Sequence, residues 1–85
     1  MTIMLLITIV NVRELDLNLL RVFDAVLRGR SVTAAAAELG LTQPAVSNAL
    51  ARMRAAFDDA LFLRTPLGME PTPFARELAE PVRQA

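Results

Sequence analysis

The sequence contains neither cysteine nor histidine among its 85 residues. Disulfide frameworks and thiolate metal sites are therefore excluded, and the usual nitrogen ligands of zinc are missing as well. The sequence also has no glycine-rich phosphate loop and no spaced pair of carboxylates, so nothing supplies a nucleophile together with a base. We predict a protein that is not an enzyme, has no metal site and no cofactor, and suits a reducing compartment.

The sequence also contains no lysine, and its net charge is zero. The nine basic residues are all arginine, and nine acidic residues balance them. Neutrality counts against a simple electrostatic nucleic-acid binder, whose domain is normally basic. The charge is unevenly distributed, because no acidic residue occurs between Glu38 and Asp58. A polyanion such as DNA responds to the local electrostatic field rather than to the net charge. A chain of this length forms one small domain or is part of a larger protein.

No hydrophobic run is long enough to cross a membrane. The apolar segment IMLLITIV occupies residues 3–10, only eight positions, whereas a membrane-spanning helix needs about 20. It lacks the basic flank and the small-residue cleavage site of a secretory signal. We interpret residues 1–14 as an apolar N-terminal extension and predict a cytoplasmic protein without a membrane partner.

The most informative segment runs from Leu41 to Phe57. Thr42 can accept from a first-turn amide, and Pro44 stands where a missing N–H costs nothing, so a helix is predicted to begin near Gln43. Its apolar residues recur at helical spacing and form one narrow stripe, which we predict to be buried: Val46, Leu50, Met53 and Phe57.

The opposite side of this helix, here called the outer face, carries mostly small residues: Pro44, Ser47, Asn48, Ala51 and Ala55. Arg52 and Arg54 flank it. Small residues permit close approach of the backbone to a partner, amides can pair with base edges, and guanidinium groups bind phosphate or guanine. These properties are typical of a DNA recognition helix. From this helix alone, an amphipathic helix with an alanine-rich surface in a small bundle is an equal alternative.

Two further helices are predicted before it. The first begins after Asp16 and ends at Gly29, for which we expect a left-handed conformation. The second is short and alanine-rich, with Ser31 as its cap and Gly40 as its stop. Two helices joined by a tight glycine-containing turn are the outline of a helix-turn-helix. In that geometry Ser31 and Thr33 could donate to phosphate at a helix N-terminus. Alternatively, Ser31 is only a cap.

After Phe57 the helical periodicity stops. Asp58-Asp59 is interpreted as a turn, Leu61–Arg64 as a strand and Met69-Glu70 as its partner across the turn residues 65–68. A two-stranded flap after a recognition helix is a wing. Arg64 could lie against phosphate or be simply solvated.

A last helix is predicted from Thr72-Pro73, again a cap followed by a first-turn proline. Phe74, Leu78 and Val82 form an apolar seam along it, and Pro81 should bend or loosen one turn. The seam could fold back on the domain's own core or pair with the same helix of a second copy.

The segments LDLNLLRVFDAVLRGRSVTAAAAELGLTQPAVSNALARMR and LFLRTPLGMEPTPFARELAEPV together resemble the N-terminal DNA-binding domain of the LysR-type transcriptional regulators. The resemblance is specific because S-V-T, L-T-Q-P-A-V-S, LF-R and PTP occur in the right order and separations. It is greatest to the subgroup of nodulation regulators and regulators of naphthalene and salicylate catabolism. It implies a mainly α fold: a winged helix-turn-helix of three helices and a short two-stranded wing over residues 15–72, then a linker helix at 73–85.

By this resemblance, Gln43, Pro44, Ser47 and Asn48 correspond to base-contacting positions of the recognition helix. The phosphate contacts are assigned to Ser31, Thr33, Thr42, Arg52, Arg54 and Arg64. The dimer helix would use Phe74, Leu78 and Val82. Two positions depart from the family: Asn48 replaces an arginine found in many members, and Leu67 stands where some members have a wing arginine.

The leading hypothesis is a sequence-specific DNA-binding domain of a bacterial LysR-type regulator. It would act as a homodimer or higher homo-oligomer on an inverted-repeat promoter site in double-stranded DNA. A small-molecule inducer would act only through an effector domain absent from these 85 residues. The alternative is a winged-helix interaction or dimerisation module that does not itself bind DNA.

Overall fold

The computed structural model describes residues 16–84, which fold into four helices and one two-stranded sheet. The helices are α1 (Leu17–Gly29), α2 (Val32–Leu39), α3 (Gln43–Phe57) and α4 (Pro73–Gln84), and the strands β1 (Phe62–Thr65) and β2 (Gly68–Pro71) lie between α3 and α4. The predicted winged helix-turn-helix is confirmed. The predicted N-terminal extension, residues 1–14, lies outside the described residues.

The helix starts are confirmed where the sequence places them. Asp16 accepts from the Asn18 N–H at 2.8 Å, Ser31 from Ala34 and Thr42 from Ala45, each at 3.1 Å. Thr72 accepts from the Ala75 N–H at 3.1 Å. Each hydroxyl or carboxylate satisfies a first-turn amide that has no partner within the helix. Local sequence therefore determines where each helix begins.

The core lies between α1, α2, α3 and the inner side of α4. Its largest fully buried side chains include Phe23, Phe57, Leu50, Met53 and Leu78. Phe23 packs on Phe62 of β1 with ring centroids 5.5 Å apart, and Phe57 packs on Phe74 of α4 at 5.6 Å. These aromatic contacts connect the helical part of the domain to the sheet and to the last helix.

The first helix ends differently from the prediction. Gly29 belongs to α1, and the left-handed residue is Arg30, with φ 55° and ψ 29°. The Arg30 N–H donates to the Val26 carbonyl at 2.7 Å, and its Nε donates to the Leu27 carbonyl at 3.0 Å. These two bonds satisfy carbonyls at the helix end, which offsets the cost of a left-handed conformation in a residue other than glycine.

The wing is a hairpin whose strands differ from the prediction by one or two residues. β1 pairs antiparallel with β2, from Phe62 opposite Pro71 to Thr65 opposite Gly68. Leu61, expected to begin the first strand, has φ 65° and lies outside it. Its side chain is fully buried, and the Asp59 carboxylate accepts from its N–H at 2.8 Å. The left-handed turn at Leu61 thus directs an apolar side chain into the core.

The apolar seam of α4 packs on the domain itself, which corrects the assignment of Phe74, Leu78 and Val82 to a dimer contact. Leu78 is fully buried and Val82 is 8 % exposed, while Phe74 is half-buried against Phe57. The seam faces α1 and β2, the first of the two alternatives that the sequence leaves open. Pro81 lies inside the continuous helix.

None of the helices over residues 16–84 has the length and apolar character needed to cross a bilayer.

Candidate nucleic-acid interface

The geometry of the helix-turn-helix depends on a three-residue turn between α2 and α3. Gly40 adopts a left-handed conformation at φ 67°, and the Leu41 N–H donates to the Ala36 carbonyl at 2.9 Å. This bond from the second residue after the helix back to its last turn is typical of a Schellman end. Thr42 then caps α3. The turn therefore fixes the direction in which α3 leaves α2.

Helix α3 has one side in the core and the other in solvent. Val46, Leu50 and Met53 are at most 1 % exposed. The outer face is open: Pro44, Ser47, Asn48, Ala51 and Ala55 are all exposed, as is Gln43 at its N-terminal edge. The predicted orientation of this helix is confirmed. All four residues proposed to contact bases are thus accessible to a partner.

The residues assigned to phosphate contacts are also at the surface, in two groups. Thr33, Thr42, Arg52 and Arg64 are exposed, and Ser31 and Arg54 are half-buried. Ser31 and Thr42 use their hydroxyl oxygens as caps, and within residues 16–84 neither hydroxyl donates a hydrogen bond. A cap and a phosphate donor are therefore compatible in the same side chain, because the oxygen accepts while the O–H remains available.

Arg54 is partly engaged by the protein. Its Nε donates to the Ala60 carbonyl at 2.9 Å, so its guanidinium lies against the chain that leaves α3. This bond holds the guanidinium beside the loop before the wing and leaves the terminal nitrogens as the available donors.

Ion pairs distinguish the arginines in the described part of the chain. Arg28, Arg30 and Arg83 pair with carboxylates, whereas Arg52 and Arg64 form no ion pair there. The Arg28 guanidinium makes two parallel bonds to Glu38, of 3.1 and 2.6 Å, and one to Asp24 at 3.0 Å. These bonds lower the pKa of the Glu38 carboxyl below its usual value. One guanidinium thus bridges the Asp24 carboxylate of α1 and the Glu38 carboxylate of α2.

Two residues that the sequence analysis did not select hold the wing in place. The carbonyl of Arg30 accepts from the Met69 N–H at 2.9 Å, and its guanidinium lies 3.3 Å from the Glu70 carboxylate. Asp59 accepts from the Thr72 hydroxyl at 2.7 Å in addition to the Leu61 N–H. Only Gly68 gives a sequence signal, because a glycine in a strand often marks a close approach of another backbone.

The wing exposes two leucines, Leu67 at its tip and Leu63 within β1. Leu67 is 86 % exposed and Leu63 is 56 % exposed, and Pro66 is exposed between them in the chain. Arg64 is the one charged side chain on β1. The wing of this protein therefore presents a single cation beside leucines.

The model of the "bacterial regulatory helix-turn-helix protein, lysR family" matches residues 17–76, which cover α1, α2, α3, the wing and the start of α4. The chain belongs to the lysR family. The matched range contains the outer face and every residue assigned to a phosphate contact. This result confirms the resemblance found in the sequence.

Similar lysR-family proteins share most of this chain. The HTH-type transcriptional activator NagR of Ralstonia sp. is 64 % identical over 72 residues, which are 85 % of this chain and 24 % of the relative. Nodulation protein D 2 of Bradyrhizobium sp. (strain NC92) is 52 % identical over 73 residues, 86 % of this chain and 22 % of the relative. The subgroup predicted from the sequence is confirmed. The chain spans about a quarter of the length of these relatives.

A solved structure of the lysR family also matches. The structure titled "Crystal structure of CbnR_DBD-DNA complex" superposes with a TM-score of 0.77 at 26 % identity, covering 82 % of this chain and 80 % of that one. This chain therefore shares its fold with a DNA-binding domain of the lysR family whose structure was solved together with DNA.

Proposed function

We propose that this chain binds double-stranded DNA as the DNA-binding domain of a bacterial LysR-type transcriptional regulator. Helix α3 enters the major groove, and Gln43, Pro44, Ser47 and Asn48 contact base edges there. Ser31, Thr33, Thr42, Arg52, Arg54 and Arg64 contact phosphates. Acting on DNA places the protein in the bacterial cytoplasm. We assign it no catalytic residue.

One observation carries the proposal: the outer face of α3 is exposed and nearly free of charge, while Val46 and Leu50 on the opposite side are buried. A helix that meets only water normally carries acidic and basic residues on its open side. Here Ser47 and Asn48 supply hydrogen-bonding groups, and Ala51 permits close approach to a groove. Arginines that form no ion pair within residues 16–84 stand beside this face.

The proposal includes a dimer. Recognition helices of a two-fold dimer meet successive major grooves roughly 34 to 36 Å apart, which predicts an inverted-repeat site. Because Leu78 and Val82 are buried within the domain, a second copy would have to contact surface residues other than these two. Any inducer would act on a further effector domain, outside these 85 residues.

A gel shift against an inverted-repeat duplex tests the proposal. We expect Gln43→Ala and Ser47→Ala to weaken binding, because each removes a hydrogen bond to a base edge. Glu77→Ala is the matched control, since Glu77 is exposed on α4, away from the outer face of α3. Equal affinity of all three variants and the unchanged protein would contradict the assignment of the reading surface.

The salt dependence tests the phosphate contacts separately. Each lost phosphate contact reduces the slope of log affinity against log salt by about 0.9. Because a dimer carries each substitution twice, Arg52→Ala and Arg64→Ala should each reduce the slope by about 1.8, with an affinity loss that is uniform across sequences. Arg76→Ala is the control, because Arg76 is exposed and also forms no ion pair in the described part of the chain. An unchanged slope in the Arg52 and Arg64 variants would exclude those two contacts.

The second candidate is an interaction module that associates without binding DNA. The zero net charge and the exposed Leu63 and Leu67 of the wing favour it. Size measurements with and without duplex DNA separate the two functions, because such a module would form an assembly whose size DNA does not change.

A further inference from the structure

The outer face of α3 has a middle line whose position follows from helical geometry. At about 100° per residue, Pro44, Asn48, Ala51 and Ala55 lie about 140° to 200° around the axis from the buried Val46. They are therefore the residues opposite the core. Ser47 and Gln43 lie nearer the flank, at about 100° and 60°. When the helix lies in a groove with its core side turned away from the DNA, the middle line is closest to the base edges.

Asn48 is the single residue on this line with a hydrogen-bonding side chain. Pro44, Ala51 and Ala55 offer only apolar groups. Asn48 is exposed, and its amide forms no hydrogen bond within residues 16–84. It stands in the second turn of α3, in the N-terminal half that contacts bases in helix-turn-helix proteins. Its neighbours on the line are short, so nothing on that line keeps the amide away from a base.

The chemistry of the amide selects one base. In the major groove adenine presents the N7 acceptor beside the N6 amino donor, and a carboxamide matches both at once. Guanine presents two acceptors in the same places, so the amide oxygen would face an acceptor there. An arginine at this position would match guanine instead.

We propose that Asn48 specifies adenine at one base pair of each half-site, with Oδ1 accepting from N6–H and Nδ2 donating to N7. The inference rests on the proposed function and adds to it the identity of one recognised base. It assigns the discrimination at that base pair to Asn48 alone, because the other residues of the middle line have no group that distinguishes adenine from guanine.

The test begins with the 85-residue chain and a library of random duplexes at low salt. Bound duplexes are sequenced, and affinities are then measured for the enriched site and for versions with each base pair replaced. At the Asn48 base pair, replacing A·T by G·C should weaken binding by the unchanged chain about 5- to 140-fold. Asn48→Ala should remove that penalty while keeping the penalties at other positions. Ser47→Ala, the matched control, should keep the penalty at the Asn48 base pair.

A modified base in the DNA, combined with Asn48→Ala, gives a double-mutant cycle for this contact. 7-Deazaadenine at the same position lacks the N7 acceptor, so it should weaken binding by the unchanged chain and leave the affinity of Asn48→Ala the same within about twofold. Discrimination that persists in Asn48→Ala, or a loss spread equally over all base pairs, would overturn the proposal while leaving DNA binding intact. An unchanged chain that enriches no site would contradict the proposed function as well.

Discussion

The carbonyl oxygen of Arg30 lies where a side chain at Gly68 would have to be. A Cβ built on Gly68 would come within 2.7 Å of that oxygen, and the next residue, Met69, donates its N–H to the same oxygen at 2.9 Å. The turn between α1 and α2 therefore occupies the edge of β2 and holds the wing against the helices. Backbone contact between residues 30 and 68–69 positions the wing relative to the helix-turn-helix.

Gly68→Ala should destabilise the domain more than Gly40→Ala. Both glycines have positive φ, 115° and 67°, and a side chain in such conformations costs about 1–3 kcal/mol. At Gly40 nothing lies within 4 Å of an added Cβ, whereas at Gly68 the contact with Arg30 adds a steric penalty. Urea denaturation of the two variants checks this. Equal free energies of unfolding of the two variants would show that the close approach of the Arg30 carbonyl to Gly68 adds no cost.

Thr42→Asp should separate the cap from the phosphate contact. Aspartate caps a helix at least as well as threonine, so the melting temperature should stay near that of the unchanged chain. DNA affinity should fall, because the carboxylate has no donor and repels phosphate. Thr42→Ala should instead lose about 1 kcal/mol of stability. Retained DNA affinity in Thr42→Asp would remove Thr42 from the phosphate contacts.

The Arg28–Glu38 pair predicts a pH dependence with a definite sign. The Arg28 guanidinium lowers the pKa of the Glu38 carboxyl below 4.5, so the stabilisation is present above that pH and is lost as the pH falls through the lowered pKa. The melting temperature of Glu38→Gln should therefore be lower than that of the unchanged chain near neutral pH. The difference should be small, because both side chains are exposed.

Below the lowered pKa the two proteins should converge, and added salt should reduce the difference near neutral pH. A gap in melting temperature that grows as the pH falls would contradict this account of the ion pair.

Leu78→Ala should destabilise the domain by about 2–5 kcal/mol, because a fully buried leucine leaves a cavity when truncated. Since the side chain packs within one copy, the loss should be the same at low and high protein concentration. Glu77→Ala, the exposed neighbour, should change stability little. A destabilisation that appears only at concentrations where the chain associates would return Leu78 to the dimer contact.

The sequence was sufficient where short-range chemistry decides the structure. Thr42 and Pro44 predicted the start of α3, and the spacing of Val46, Leu50 and Met53 predicted its buried side, since capping and helical periodicity are local properties. The outer face was then predicted as the remaining side of that helix, whereas the proposed base contacts of Gln43, Pro44, Ser47 and Asn48 came from the resemblance to the LysR-type regulators. Their exposure could be predicted for the same reason.

The sequence was insufficient where partners are distant along the chain. The carbonyl and guanidinium of Arg30 contact Met69 and Glu70 on a hairpin about 40 residues later, and no local pattern contains that information. The sequence likewise left open whether Leu78 and Val82 pack on the domain itself or on a second copy, because α1, which covers them, is distant along the chain. Asp59 was predicted as a turn residue, but its bond to Thr72 connects the loop to α4.

We propose that DNA binds to the outer face of α3. A titration of the isotope-labelled chain with its selected duplex, followed by amide and side-chain NMR shifts, tests it most directly. We expect the largest changes at Gln43, Ser47 and Asn48, with little change at Glu77 and Glu80 on α4. Shifts that are largest on α4 or at Leu63 and Leu67 of the wing, with the outer face unaffected, would show that DNA binds elsewhere.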